Sequence, residues 1–121
     1  MDFKAPQGFE DYLVTILWYF NMDDRSVYEF SDTARERLLD YYSRFYKAIE
    51  ILDLLDIYLE FYNKGKLGND FALEQLRTGC GFIEGNLLEE KDRDLFCNIV
   101  KCFPKFNVFE DENGKLELEV E

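Results

Sequence analysis

The chain has 121 residues and a formal net charge of −12, with 26 acidic side chains against 14 basic ones and no histidine. Nucleic acids and anionic membranes require basic surface, so this charge disfavours both as direct partners. The absence of histidine removes the commonest general base, the usual activator of a serine or cysteine nucleophile, and the commonest metal ligand. We therefore expect a protein that is not an enzyme, carries no cofactor and binds a basic protein, because opposite potentials steer association.

The length predicts a single domain over residues 1–121, and the aromatic content of 17% is typical of a packed core. The longest apolar run, Tyr12–Phe20 interrupted by Thr15, is too short to span a bilayer, and residues 1–11 lack the basic leader of a targeting signal. The three cysteines form no CxxC pair and are expected to be buried, reduced thiols: Cys80, Cys97 and Cys102. Together these features predict a cytoplasmic protein.

The first predicted helix is Gly8–Phe20, whose apolar residues recur at helical spacing and cover most of its circumference. They are Phe9, Tyr12, Leu13, Val14, Ile16, Trp18, Tyr19 and Phe20. A tryptophan such as Trp18 can be a binding anchor, but its apolar neighbours predict that it packs in the core. Residues 21–30 form the next connection, in which Asp23 and Asp24 are expected to be solvated.

The segment Asp32–Asn63 is predicted to be the helix around which the rest of the chain packs. Ser31 can cap its start, its apolar positions keep helical spacing, and it contains neither glycine nor proline. This pattern predicts one long helix, or two helices joined nearly end to end. The glycine-bearing stretch Lys64–Asn69 is predicted to be the loop that ends it, and a third helix is expected over Phe71–Thr78.

One stripe of the predicted long helix stays polar along its whole length. Its members are Glu36, Asp40, Ser43, Lys47, Glu50, Asp53, Asp56, Glu60 and Lys64. In the middle of the stripe, four carboxylates follow one another at helical spacing: Glu50, Asp53, Asp56 and Glu60. Each like-charge pair of this kind costs about 0.2–0.5 kcal/mol, so negative charge is grouped where alternating signs would stabilise the helix. We interpret these four carboxylates as candidate partner-binding residues, with ordinary solvated surface as the alternative.

The last third of the chain is predicted to be a helix followed by a β-hairpin. The helix is Leu87–Cys102, which Pro104 terminates. The segments Lys105–Glu110 and Lys115–Glu121 then alternate apolar and polar residues, a pattern typical of strands. An isolated hairpin is marginal in water, so we expect the apolar face of residues 105–121 to pack on the helices.

The facing of the side chains selects the register of this hairpin. A two-residue turn at Asn113-Gly114 would place apolar residues opposite glutamates. A three-residue turn over 112–114 instead places Val108 opposite Leu118, with Gly114 in the left-handed position of a bulge. We therefore predict the three-residue turn.

The hairpin supplies the second group of candidate partner-binding residues: Glu110, Asp111, Glu112, Glu117 and Glu119. Few lysines lie near these carboxylates in the sequence, so their charges are not balanced locally. Clustered carboxylates also suit calcium, but the alternating acids and central glycine of a twelve-residue EF-hand loop are absent. No metal site is therefore predicted.

The segment DRDLFCNIVKCFPKFNVFEDENGKLELEVE, residues 92–121, resembles the immunity proteins that neutralise bacterial nuclease toxins. It is similar in particular to the colicin D immunity type, in which a helix leads into an acidic, Asn-Gly-bearing segment of alternating LxLxV character. The resemblance covers about 30 of the 121 residues, and the preceding part departs from that smaller family. Contact-dependent and other polymorphic-toxin immunity proteins fit equally. Such families imply a tight, one-to-one inhibitor whose carboxylates occupy a basic nuclease surface made for RNA phosphates.

The sequence thus predicts a mainly α fold, a compact domain of about four helices around one long central helix, with a C-terminal β-hairpin. The predicted function is that of an acidic immunity protein that neutralises a basic toxin acting in the cytosol, with a nuclease as the expected target. Two alternatives stay open. One is a nucleic-acid mimic that inhibits a restriction or CRISPR nuclease, and the other is a non-catalytic adaptor that binds through apolar grooves.

Overall fold

The computed structural model describes residues 6–56, 64–76 and 90–121. Its elements are the helices α1 (Phe9–Tyr19), α2 (Asp32–Ile51), α3 (Lys64–Leu76) and α4 (Glu90–Val100), a 3-10 turn (Val27–Glu29), and the strands β1 (Phe106–Glu110) and β2 (Leu116–Val120). The chain is therefore mainly α with a C-terminal antiparallel hairpin, which confirms the predicted fold class. Within the described residues, we find no helix with the length and apolar character needed to cross a membrane.

The central helix begins where the sequence predicts and ends earlier. At its start, the side chain of Ser31 accepts a hydrogen bond of 3.0 Å from the backbone N–H of Ala34. At its end, Asp53 adopts a left-handed conformation with φ of 59°, and helical structure resumes only at residues 54–56. Of the two predicted alternatives, one continuous helix is therefore wrong, and the described residues agree with helices joined nearly end to end.

The chemistry of aspartate explains how α2 ends without glycine or proline. Aspartate and asparagine visit the left-handed region more readily than other side-chain-bearing residues. The backbone N–H of Asp53 donates to the carbonyl of Glu50, and that of Leu52 to Ala48, so the last turn keeps its hydrogen bonds. The rest of the predicted helix, residues 57–63 with the candidate Glu60, lies outside the described residues.

The stretch Lys64–Asn69, predicted to be a loop, is the first half of α3. A glycine inside a helix costs about 1 kcal/mol relative to alanine, so its presence there requires a reason. At Gly68 the reason is packing, because a Cβ added there would lie 1.9 Å from the carbonyl oxygen of Gly8. The missing side chain lets the backbones of α1 and α3 approach closely.

An aromatic cluster around Phe71 of α3 forms the centre of the core. The Phe71 ring stacks on Phe45 of α2 with a centroid distance of 4.1 Å, and on Tyr12 of α1 at 5.2 Å. The edge-on ring of Phe103, which follows α4, lies 5.2 Å away. One side chain from α3 therefore joins α1, α2 and the end of α4.

A series of buried hydrogen bonds between polar groups crosses the same region. The Tyr12 hydroxyl donates to the side chain of Gln75, whose amide nitrogen donates to the carbonyl of Pro104 at 3.0 Å. Tyr12 is fully buried, and burial raises the pKa of its hydroxyl, which keeps this group a neutral donor. These bonds link α1 and α3 to the segment that leads into the hairpin.

The hairpin has the predicted register. Phe106 pairs with Val120 and Val108 with Leu118. The backbone N–H of Asp111 donates to the carbonyl of Lys115 at 2.8 Å, and Gly114 has the left-handed φ of 79° that the three-residue turn requires. In order of decreasing burial, the apolar residues of the inner face are Leu116, Phe106, Val108, Leu118 and Val120.

The cysteines differ from the prediction. Cys97 is disulfide-bonded, and Cys102 is free but exposed, so neither is a buried, reduced thiol. Cys80 lies outside the described residues, as do the first residues of the predicted helix Leu87–Cys102. The cysteines therefore no longer argue for a reducing compartment.

The contact at Gly68 predicts that a substitution that usually stabilises a helix will here lower the free energy of unfolding. In an open helix, Gly68→Ala would stabilise the protein by about 1 kcal/mol through helix propensity. Here we expect a loss of about 1–3 kcal/mol in the free energy of unfolding, because the methyl group must push α1 and α3 apart. Chemical denaturation of both proteins measures the difference, and a gain in stability would contradict the close approach.

The turn predicts a difference between two substitutions at Gly114. A Cβ there meets only the side chain of Glu110, at an ordinary contact distance of 3.6 Å, so backbone conformation alone sets the cost. Gly114→Val should lower the free energy of unfolding by about 1–2 kcal/mol. Gly114→Asn, the matched control, should cost less because asparagine tolerates positive φ. Equal melting curves for the two variants would be incompatible with the left-handed turn.

Candidate protein-interaction surfaces

The charges of α2 are mixed along most of its length and of one sign at its end. Between residues 32 and 47 the acidic and basic side chains are nearly balanced: Asp32, Glu36 and Asp40 against Arg35, Arg37, Arg44 and Lys47. Asp40 and Arg44 form an ion pair of 3.2 Å one turn apart. The last turn contains no basic residue. The exposed carboxylates Glu50, Asp53 and Asp56 follow there without a described cation among them.

We call the residues Glu50, Ile51, Leu52, Asp53 and Asp56 the α2-end patch. The C-terminus of a helix carries a partial negative charge, and cations near it stabilise by about 0.3–1 kcal/mol. Carboxylates in this place have the opposite sign. The patch also exposes two large apolar side chains, Ile51 at 68% and Leu52 at 46%. It therefore combines two features that do not stabilise the fold: acids with no ion pair among the described residues, and exposed hydrocarbon.

The break at Asp53 changes the physical basis of the predicted acidic stripe. Asp53 does not lie at helical spacing from Glu50 and Asp56, so the helix-neighbour repulsion inferred from the sequence does not apply to it. Its carboxylate lies instead just beyond the negative end of α2. Glu50, Asp53 and Asp56 are thus all exposed at or just after the end of α2, and they do not form one continuous helical stripe.

Two of the hairpin candidates serve the fold. Glu110 lies on the inner face opposite Leu116, and its carboxylate is 3.0 Å from the guanidinium of Arg25. The same guanidinium contacts Glu29 at 3.0 Å and donates to the carbonyl of Gly114 at 2.9 Å, which ties the loop after α1 to the hairpin turn. A hydrogen bond from the backbone of Ser26, and then Arg25, lower the pKa of Glu29, which keeps this group charged.

The side chain of Asp111 organises the turn. Its Oδ1 accepts hydrogen bonds from the backbone N–H groups of Asn113 at 2.9 Å and Lys115 at 2.8 Å. Glu112 is exposed at the tip of the turn, and Glu117 and Glu119 lie on the outer face of β2. The acids of this outer face flank an exposed aromatic ring, because Phe109 pairs with Glu117 and is 44% exposed.

The hairpin acids and the α2-end patch belong to different parts of the molecule. The backbone N–H of Ser31, at the start of α2, donates to the carbonyl of Leu116 at 2.9 Å. The ring of Tyr41 then stacks near Phe106 with a centroid distance of 6.2 Å, so the hairpin lies along the first half of α2. A helix of 20 residues is about 30 Å long, which separates the hairpin turn from the patch at the far end.

Sequence reasoning missed a groove between α1 and α3. Trp18 is 59% exposed and Val14 is 51% exposed, so the prediction that Trp18 packs in the core is wrong. The buried face of α1 is formed instead by Tyr12, Leu13, Thr15, Ile16 and Leu17. The groove has a volume of about 410 Å³ and is lined by Val14, Thr15, Trp18, Asn69 and Leu73. The sequence does contain one indication that Trp18 is exposed. The charged residue Glu10 lies four residues before Val14 and eight before Trp18, so all three lie on the same side of the helix.

Within residues 6–56, 64–76 and 90–121, no group of three or more cysteine or carboxylate side chains is arranged to hold a metal ion. No family model, no curated protein and no solved structure matches this chain. The function therefore has to be argued from the charge and exposure of these surfaces.

The left-handed conformation of Asp53 gives a stability test that depends on the end of α2. Asp53→Gly should raise the free energy of unfolding by about 1 kcal/mol, and Asp53→Ala should lower it by a similar amount, because only glycine is free of strain at positive φ. A continuous helix would reverse both signs, since alanine is the best helix former and glycine a poor one. Urea denaturation of the two variants separates these cases.

Proposed function

We propose that this protein is an acidic immunity protein that binds a cognate basic toxin in the cytoplasm and blocks its substrate-binding surface. The toxin in this proposal is a nuclease. It acts by binding and performs no catalysis. The observation that carries the proposal is the α2-end patch, a short stretch of chain in which three exposed carboxylates and two exposed aliphatic side chains follow one another.

The composition of the patch suits a tight interface with a basic protein. Binding energy concentrates in a few side chains that become fully desolvated at the centre of an interface, and the contacts around them exclude water. Ile51 and Leu52 supply such side chains, and the carboxylates supply a charged rim. The positive surface with which a nuclease holds phosphates is the complement of such a rim, because opposite potentials raise the association rate and exclude partners of like charge.

The cost of the patch to the free protein supports a role in binding. Acids at the C-terminus of a helix and uncovered apolar side chains both lower stability or solubility relative to a lysine or arginine at the same place. Natural proteins keep such residues where function requires them, and removing them commonly stabilises the fold. The patch is therefore better explained by a partner than by the fold.

A second candidate, a non-catalytic adaptor, is favoured by the groove at Trp18. Tryptophan is among the residues most enriched at binding hot spots, and this one is largely exposed beside Val14 and Leu73. An adaptor of this kind would bind through apolar contact, so its affinity would depend little on salt. Immunity through the α2-end patch predicts instead that affinity falls as salt rises, because exposed charge pairs are screened over about 8–10 Å near physiological salt.

The test compares two triple variants that change the net charge equally. The first, Glu50→Gln with Asp53→Asn and Asp56→Asn, neutralises the patch. The second neutralises three exposed acids elsewhere: Asp23→Asn, Asp24→Asn and Glu36→Gln. The candidate partner to be tested is the polypeptide encoded immediately upstream of this chain, assayed by titration and by growth of cells that express it.

We expect the patch variant to lose about 2–5 kcal/mol of binding free energy and to fail to restore growth, since charges on the partner are left unpaired. The control variant should protect the cells, and wild-type affinity should fall as salt rises. Equal protection by both variants, or binding that is indifferent to salt, would contradict the proposal and favour the adaptor. A partner that is a restriction or CRISPR nuclease would instead identify a nucleic-acid mimic.

A further inference from the structure

The hydrogen bonds of the hairpin show which backbone groups of β2 face away from β1. The pairs Asp111–Lys115 and Lys105–Glu121 are hydrogen-bonded. Hydrogen-bonded and non-hydrogen-bonded pairs alternate along an antiparallel ladder, so the N–H and C=O groups of Leu116, Leu118 and Val120 point outward. The carbonyl of Leu116 confirms this direction, because it accepts its hydrogen bond from Ser31 on that outer side.

The outer edge of β2 is occupied only at its beginning, as far as the described residues show. Phe30 forms a single parallel bridge with Leu116, after which the chain enters α2. Because Tyr41 packs near Phe106 of β1, α2 leaves this edge and passes beneath the inner face. The outward backbone groups of Leu118 and Val120 have no protein partner among the described residues.

The side chains at this edge have a pattern that a further strand could match. On the inner face, Val120 is 37% exposed and Leu118 is only partly buried, so apolar surface is left uncovered next to the edge. On the outer face, Glu117 and Glu119 stand two residues apart and Glu121 follows them. An added strand would place alternate side chains beside these two rows.

We propose that the open edge of β2 binds an extended segment of a partner protein in which basic and apolar residues alternate, as a third strand of the sheet. The backbone groups of Leu118 and Val120 provide the main-chain hydrogen bonds of this mode of recognition. The apolar residues of the segment cover Leu118 and Val120, and its lysines or arginines pair with Glu117 and Glu119. This site stands on the hairpin alone and does not depend on the α2-end patch.

The glutamates also disfavour pairing of this edge with the same edge of a second copy of the chain. An exposed edge can pair with the same edge of another copy, and charged side chains are a common protection against this. Two copies of β2 would bring Glu117, Glu119 and Glu121 of each chain together, which like-charge repulsion opposes. The same carboxylates attract a basic strand, so one set of side chains discriminates between the two occupants.

The probe for the edge is a capped seven-residue peptide of alternating lysine and valine, titrated onto the full chain. Its control has the same composition with the three valines grouped together, so its charge is identical. We expect the alternating peptide to bind more tightly. Glu117→Gln with Glu119→Gln should weaken its binding more than Asp23→Asn with Asp24→Asn, which changes the net charge equally. Equal affinity for the two peptides, or an equal effect of the two charge variants, would mean general attraction to an acidic protein and would overturn the proposal.

The backbone itself is tested with Val120→Pro. Proline is tolerated at an edge position whose N–H is not part of the ladder, so the pairing of β2 with β1 should persist while one outward donor is lost. We expect the affinity for the alternating peptide to fall roughly tenfold, whereas Val120→Thr, which keeps the donor, should bind like the wild type. Unchanged binding by Val120→Pro would overturn the proposal.

A pair of modified peptides repeats the test without changing the protein, in case Val120→Pro does not fold. One carries N-methyl groups on the backbone nitrogens of its valines and the other on those of its lysines. In a docked strand only one of these sets of N–H groups faces β2. One of the two peptides should therefore lose binding and the other keep it. Equal affinity of the two, whether high or low, would overturn the proposal.

Discussion

The structure depends on the close approach of α3 to α1, which places Phe71 in the middle of the aromatic core. Gly68 permits that approach because no side chain separates it from the carbonyl of Gly8. Phe71 then stacks on Phe45 and Tyr12, so that α1, α2 and α3 share one packed centre. Aromatic pairs of this kind contribute about 0.5–1.5 kcal/mol each beyond the area they bury. The hairpin is fixed to this centre through the bond from Gln75 to Pro104 and through the contact of Tyr41 with Phe106.

Because the core lies at the side of α1 and α2 that faces α3, the other surfaces are free to carry residues that contribute little to stability. The described part of the chain has three such surfaces: the α2-end patch, the edge and outer face of the hairpin, and the groove at Trp18. The first two are acidic and lie at different places along α2, and the third is mainly apolar. The charge of −12 is therefore not spread evenly, since the first four turns of α2 are balanced while its end is not. This uneven distribution is what favours a basic partner over simple solubility.

The parts that the sequence predicts well are those in which local chemistry and packing agree. The register of the hairpin follows from alternation and from the need for glycine at position 114, and both act locally.

The end of α2 could not be predicted, because an aspartate in the left-handed region is indistinguishable in sequence from one in a helix. The prediction of a loop at Lys64–Asn69 is wrong because Gly68 is required for close packing against Gly8, which lies some 60 residues away in the chain. The apolar neighbours of Trp18 predict a core position, whereas its spacing from Glu10 and Val14 puts it on the exposed side of α1. Among the candidate acids, sequence could not separate Glu110 and Asp111, which stabilise the turn, from Glu117 and Glu119, which do not.

In the function proposed, the acids at the end of α2 are retained at a cost to the stability of the free protein. The most direct measurement is the free energy of unfolding of the free protein as a function of salt, between about 0.01 M and 1 M, over which the screening length falls from about 30 Å to about 3 Å. We expect salt to stabilise the wild-type protein, and we expect this gain to become smaller when Glu50, Asp53 and Asp56 are neutralised together. Neutralising Asp23, Asp24 and Glu36 should reduce the gain less. If the patch variant responded to salt as strongly as the wild type, these carboxylates would carry no cost and would be ordinary solvated surface.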